Sequence, residues 1–269
     1  MLKGKIDVKK VIKIITKQNI SMLYIQRSRG YEWRDSLCVN DIASFITEVR
    51  NYGYSGCIFV DNCYGEFVET KEPTDVGADI ICGSLIKNPG GGIAPTGGYI
   101  AGKEKYINMV EGRLTSPSIG MEVGSYAYGY QYFYQGLFMA PHTVKECIKG
   151  SLLIGRAMSE LGFETLPKMG KTPCDITRSV IFNNEKKLID FIQSVQDVSP
   201  VDSFVTLLPW DMPGYDDAVI MAAGCFVQGA SIELSADAPV KPPYVGYIQG
   251  GLTYEHCKIA LKKMLEKLL

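Results

Sequence analysis

The sequence predicts an α/β fold, with a mostly parallel sheet and its helices in the first part and an α+β module behind it. Three observations carry this. The stretch from Ile20 to Asp61 reads as strand, helix, strand, a crossover that leaves its two strands parallel. The apolar runs Ile58 to Val60 and Ala78 to Cys82 are each followed by polar groups where a buried strand would end. Beyond Pro141 a long helical stretch gives way to short strands, turns and two amphipathic helices.

Taken in order, Asp7 can cap a helix through about Lys17, with Val8, Val11, Ile12 and Ile15 on one face. Ile20 to Ile25 is the first strand. Arg27, Arg29 and Arg34 follow in a loop with Tyr31 and Trp33. By itself that cluster reads as a solvated loop with aromatics shielding guanidinium stems. Asn40 is a good N-cap for a helix with Ile42, Phe45, Ile46 and Val49 at i, i+3, i+4 and i+7, closed by Gly53. Gly98 to Ala101 adds a further short strand. Tyr126 to Phe138 reads as an aromatic-rich helix suited to burial or to an interface. A separate helix is expected from about Pro141 to Gly162, punctuated by those two residues. Strands are then expected at Ser179 to Phe182, Ser203 to Leu208, Ala218 to Val227, Ala230 to Leu234 and Tyr244 to Ile248. Helices are expected at Glu185 to Gln196 and Thr253 to Leu268.

Composition narrows the functional classes. The 269 residues are 46% hydrophobic and 21% charged, enough apolar matter for a packed core. A net charge of −1 leaves no electrostatic footprint for nucleic acid or an anionic membrane. No apolar run approaches the ~20 residues that span a bilayer, and MLKGKIDVKK lacks the apolar segment of a signal peptide. The eight cysteines form no C-x-x-C pair, which predicts reduced thiols in a cytoplasmic protein and no metal site.

The chemistry concentrates between Ile58 and Gly102. Asp61 ends one predicted strand, Ser84 and Lys87 follow another, and Gly90, Gly91 and Gly92 allow close backbone approach. In open α/β sheets ligands collect outside the carboxyl ends of strands, so these groups are expected in one crevice. A carboxylate, a hydroxyl and an amine there are the parts that hold pyridoxal phosphate. Position alone also allows a turn aspartate and an exposed turn lysine. In a partly desolvated cleft, the lysine is expected to have a lowered pKa.

These blocks resemble the Cys/Met-metabolism branch of fold-type I pyridoxal-phosphate enzymes. IQRSRGYEWR (Ile25 to Arg34), GSLIKNPGGGIAPTGGYIAG (Gly83 to Gly102), PWDMPGYDD (Pro209 to Asp217), QGASIELSADAP (Gln228 to Pro239) and YIQGGLTYEH (Tyr247 to His256) are similar to the methionine gamma-lyase-like group, also called aluminium-resistance proteins. The resemblance implies a partial large domain over residues 1–140, holding pyridoxal 5'-phosphate, and a small C-terminal α+β domain over residues 141–269. It implies Lys87 as the Schiff-base lysine, Asp61 facing the pyridine nitrogen and Ser84 donating to the phosphate. Ile86 stands where relatives often carry a further hydroxyl.

For the substrate carboxylate the candidate is Arg178, with Arg156 behind it. The loop with Arg27, Arg29 and Arg34 is expected near the cofactor or a dimer partner. The implied activity is carbon–sulfur lysis of sulfur amino acids, of cystathionine beta-lyase or methionine gamma-lyase type, in a homodimer or homotetramer taking small amino-acid substrates. Family members are longer, and their glycine-rich phosphate loop and ring-stacking aromatic have no counterpart in Met1 to Asn19. A non-catalytic remnant or interaction domain, or an aminotransferase-type activity, therefore stays open, because Asp61, Ser84 and Lys87 define the cofactor and not the reaction.

Overall fold

The computed structural model describes residues 4–114, 116–224, 226–227 and 229–269. Two sheets organise the chain. The first has four strands in sequence order, β1 (Met22–Gln26), β2 (Cys57–Asp61), β3 (Ile80–Ser84) and β4 (Gly98–Gly102). β1, β2 and β3 run parallel, and β4 is antiparallel to β3. The predicted crossover is present, with helix α2 (Val39–Asn51) between β1 and β2. Together with α1 (Val8–Ile15), α2 covers one face of this sheet around Ile42, Phe45, Val49, Ile58 and Val60. Ile42 and Ile58 are wholly buried, worth roughly 1.5–3 kcal/mol each in transfer free energy.

The second sheet is antiparallel throughout, in the order β5 (Glu164–Leu166), β6 (Arg178–Ile181), β9 (Val245–Gln249), β8 (Ser235–Pro239), β7 (Val219–Ala222). The C-terminal half of α4 (Gln131–Glu160), with α5 (Glu185–Gln196) and α6 (Tyr254–Leu268), packs on one face of it. Ile154, Met158, Val180, Phe191, Ile220, Ala236, Ala238, Ile248 and Met264 form that core. Because strand side chains alternate, the residues between these on β6, β8 and β9 face the other way, toward the first sheet.

Several boundaries differ from expectation for identifiable reasons. α2 is capped by Cys38, not Asn40: the Cys38 sulfur accepts from the Asp41 N–H, and the Asp41 carboxylate accepts from the Cys38 N–H at 3.2 Å. The two helices expected on either side of residue 140 are one 30-residue helix, α4, with Pro141 inside it. Both Pro141 and Leu137, whose carbonyl loses its helical partner, lie on the exposed side, where water can satisfy that oxygen. Gly136 keeps the buried side close to the chain, since a Cβ there would meet the Gly90 carbonyl.

Residues 203–208 pair with no strand among the described residues, and Phe204 and Leu208 are exposed. Residues 230–234 form turns, and the strand begins at Ser235. Helix α3 (Glu104–Leu114) and strand β5 were not anticipated. Of the expected strand 218–227, β7 covers Val219–Ala222, and Cys225 lies outside the described residues.

The expectation of reduced thiols throughout also needs correction, because Cys38 and Cys174 are joined in a disulfide. No spacing rule could show it, since the partners lie 136 residues apart. Cys57, Cys63, Cys82, Cys147 and Cys257 are free. No described helix is long and apolar enough to cross a membrane.

Candidate active site

The C-terminal ends of the parallel strands and the inner face of the second sheet enclose a cavity of 260 Å³. Asp61 reaches it from the end of β2, beside Gln26 at the end of β1. The Asp61 carboxylate accepts from the Cys63 N–H at 3.1 Å, an Asx turn, and from the Tyr24 hydroxyl at 3.1 Å. Its neighbour Asn62 points into the protein instead, accepting from Arg27 Nη1 at 2.7 Å. Adjacent residues of one strand end thus serve a site and a scaffold respectively.

Lys87 lies in the turn after β3, just before a short 3-10 turn at Asn88–Gly90. Its ammonium lies 4.4 Å from the centre of the Tyr64 ring, a cation–π contact inside the cavity. Tyr64 is fixed by a 3.2 Å hydrogen bond between its hydroxyl and Ser231. Contrary to the expected lowering, the Lys87 amine is held above the usual lysine range. Burial acts against its charge, and the Tyr64 phenol and Cys63 thiol beside it outweigh that. Burial pushes the Cys63 thiol up to about 12. Burial raises the Tyr64 phenol as well, so the two groups beside the Lys87 ammonium hold their protons at neutral pH.

The sequence brought Asp61 and Lys87 forward, and the structure places both on one cavity. Ser84 does not line it. As the last residue of β3, its hydroxyl accepts from the Ile86 N–H at 3.3 Å, and its carbonyl accepts from the Lys87 N–H at 3.3 Å, which shapes the turn carrying the lysine.

Arg178 does not line the cavity either, and strand parity explains why. It stands opposite Ile248 on β9, and both point to the helix-covered face. Its guanidinium is buried against α4, donating to the Pro167 carbonyl and to Ser151 Oγ at 3.4 Å. Burial lowers it to about 10. The weaker candidate Arg156 pairs on the surface with Glu160.

The residues that sequence reading missed come from the opposite parity. Asp237 on β8, and Tyr247 and Gln249 on β9, face the cavity, and they meet Tyr31 of the loop after β1, a loop already expected near the cofactor or a dimer partner. Tyr31 packs at 5.3 Å from Tyr247 and 5.5 Å from Tyr215, forming an aromatic wall. Burial pushes the Asp237 carboxyl up to about 7, opposed by its hydrogen bond to Gln249 and by the Lys87 charge. The alternation of Ser235 to Pro239, with alanines at 236 and 238, was the available signal.

Arg29 is the arginine on the cavity wall, and it is almost wholly buried. Its Nε donates to Ser36 at 3.3 Å, Nη1 to Leu166 O and Ser179 Oγ at 3.1 Å, and Nη2 to Asp175 at 3.1 Å. Four of five N–H donors are spent within the protein, so Arg29 holds the loop and cannot clamp a carboxylate with two. Arg27 is equally committed, to Glu69, Asn62 and Leu37 O.

A larger cavity of 700 Å³ runs along β4, lined by Tyr99, Tyr126, Tyr130, Phe133 and Glu66. Burial pushes the Glu66 carboxyl up to about 8. Neither Asp61 nor Lys87 faces that space.

Comparison with known proteins shows the family. The methionine gamma-lyase family description matches residues 1–269. An uncharacterized Bacillus subtilis protein, YnbB, is 49% identical over 266 residues, which are 99% of this chain and 63% of that protein. The crystal structure of a Clostridium acetobutylicum protein, a candidate cystathionine beta-lyase involved in aluminum resistance, superposes with a TM-score of 0.94 at 54% identity. The match covers 100% of this chain and 63% of that one. A carbon-sulfur lyase involved in aluminum resistance from Clostridium novyi matches at 49% identity and a TM-score of 0.93, covering 100% of this chain and 63% of that one. This chain thus spans about two-thirds of the length of these relatives. The fold is that of the pyridoxal-phosphate-dependent lyases, and the chain belongs to the methionine gamma-lyase family.

Proposed function

We propose that this chain carries the lysine and the ring-side groups of a pyridoxal 5'-phosphate site, in a protein that cleaves carbon–sulfur bonds of sulfur amino acids. The observation that carries the reading is the meeting of the Lys87 amine and the Asp61 carboxylate on one tyrosine-walled cavity at the strand ends, in a chain of this family. The donor set fits the cofactor: an amine for its aldehyde, a carboxylate for its protonated ring nitrogen, and aromatic surface around both. When bound, the cofactor supplies an electron sink for charge developing beside the substrate amine.

Lys87 is assigned two tasks, bonding the aldehyde and then holding and moving a proton. The first requires its ammonium to lose a proton. Asp237, near 7 and across the same cavity, is a group that can take one. The Asp61 carboxylate keeps lone pairs beyond those used by Cys63 and Tyr24 and accepts the charged ring N–H. Tyr31, Tyr64 and Tyr247 narrow the cavity and limit water around these groups. Ser84 remains the proposed phosphate donor, at the end of β3. Because Arg178 faces α4, its assigned role becomes that of a scaffold for β6.

The reading keeps residues 1–140 as part of a large domain and 141–269 as a small one. That division falls inside α4, so a continuous helix links them. Small amino acids are the proposed substrates, and a homodimer or homotetramer in the cytoplasm the proposed state. The test is a titration of the purified protein with pyridoxal phosphate beside Lys87→Ala. A visible absorption band present only with Lys87 supports the assignment, and an identical band in both proteins refutes it. Cystathionine or methionine is then assayed for thiol and ammonia release. Keto-acid-dependent amino transfer in place of that release would make the protein an aminotransferase.

A further inference from the structure

The loop from Arg27 to Cys38 forms one wall of the cavity, contributing Ser28, Arg29, Gly30 and Tyr31. It is fastened to the second half of the chain by Arg29, which also donates to Leu166 O and Ser179 Oγ, and most closely at two adjacent residues, Cys174 and Asp175. Arg29 is held by Asp175, and Cys38 is bonded to Cys174, the residue before it. The Cα atoms of the bonded cysteines are 5.0 Å apart. Arg27 reinforces the same place, with Nη2 donating to the Cys174 carbonyl at 3.2 Å and to Glu69 at 2.5 Å. Glu69 in turn accepts from the Val39 N–H at 3.0 Å. The cysteine bond is therefore the covalent member of a buried fastening whose other members are charged hydrogen bonds.

We propose that Cys38–Cys174 is a thiol–disulfide exchange site, and that its redox state sets how firmly the Arg29–Tyr31 wall of the cavity is held. Cys38 is half-buried and Cys174 is 7% exposed, so an incoming thiolate reaches Cys38. With a dithiol as reductant, one of its thiolates bonds to Cys38 Sγ while the Cys38–Cys174 bond breaks. The electron pair leaves on Cys174 Sγ, which takes a proton from solvent. The reductant's second thiolate then attacks its own sulfur in the mixed disulfide and releases Cys38. Two electrons and two protons reach the protein, and the dithiol leaves as a cyclic disulfide.

The released Cys38 sulfur sits at the N-terminus of α2, accepting from the Asp41 N–H, and is the more exposed of the two sulfurs. Arg27 adds positive charge and Glu69 offsets part of it. This makes Cys38 the nucleophile for re-oxidation. It also argues against a cation at the Cys38, Glu69 and Cys174 cluster, where a buried guanidinium already occupies the carboxylate. The inference does not rest on lyase chemistry, because the fastening exists without cofactor or substrate.

The experiment compares oxidised and dithiothreitol-reduced wild-type protein with Cys38→Ser and Cys174→Ser. Alkylation and peptide mass spectrometry read the thiols, and amide hydrogen exchange reads the loop. In oxidised protein Cys38 and Cys174 are expected in one disulfide-linked peptide, and after reduction both are alkylated. Exchange over residues 28–38 should then rise at least several-fold, with α5 unchanged, and oxidised glutathione should reverse it. Either serine variant should match the reduced wild type and ignore dithiothreitol. Two freely alkylated cysteines in the oxidant-treated protein, or equal loop exchange in both redox states, would overturn the proposal. If the variants fail to fold, the wild-type comparison decides alone.

Discussion

The two sheets deliver groups to the same cavity in different ways. The first sheet is parallel over β1, β2 and β3 and meets the cavity at the carboxyl ends of those strands, where Asp61 and Lys87 arrive. The second is antiparallel, with one face under helices and the other toward the cavity, so its contribution comes from mid-strand positions such as Asp237 and Tyr247. Strand ends can be found by locating where an apolar run stops. A sheet face is found only once the parity of each strand is known. A one-residue shift exchanges a cavity residue for a core residue, as Asp237 and Ala238 show on β8.

Substitution at a strand end should cost the most activity. Lys87→Ala should remove the cofactor-dependent absorption band and lower any thiol-releasing activity by ~10³-fold or more, while unfolding stability changes little. Comparable activity in the variant would mean that the strand-end groups do not do the chemistry.

Arg178→Ala should do the reverse. It leaves the Pro167 carbonyl and the α4 surface without their partner, costing roughly 3 kcal/mol in urea unfolding. Cofactor affinity should fall no further than that destabilisation requires. A selective loss of substrate affinity without loss of stability would return Arg178 to substrate binding.

A smaller effect sharpens the role of the sheet face. The Asp237 carboxyl, near 3.9 when unfolded, sits at about 7 when folded, so between those values the folded chain keeps a proton that the unfolded chain has released. The stability this contributes is complete below the unfolded value and is lost as pH rises through the folded one. Asp237→Asn should remove that share of the decline, measured by urea unfolding at about pH 4, 6 and 8. An unchanged slope would show that Asp237 does not carry its proton into the neutral range.

Much of the first sheet was legible. Apolar runs, the crossover and the caps placed β1, α2, β2 and β3 within a few residues, and the Asp7 side chain does accept from Lys10 at 3.1 Å. The meeting of Asp61 with Lys87 followed from the strand-end rule. Elsewhere tertiary context decided. Pro141 looked like a helix start because its missing N–H is usually excluded from a helix interior, but solvent on that side tolerates the break. Ser84 was expected in the crevice as the hydroxyl after β3; it lies outside the cavity lining, and its described bonds shape the turn that carries Lys87. The Cys38–Cys174 bond depends on how the two halves pack, which no local pattern records.

The central claim is that Lys87 is the amine that bonds the cofactor. Borohydride treatment of the protein incubated with pyridoxal phosphate would fix that bond as a secondary amine, and peptide mass spectrometry would locate it. The added mass is expected on the peptide containing Lys87 and nowhere else at low cofactor excess. The mass on another lysine, with Lys87 unmodified, would contradict it.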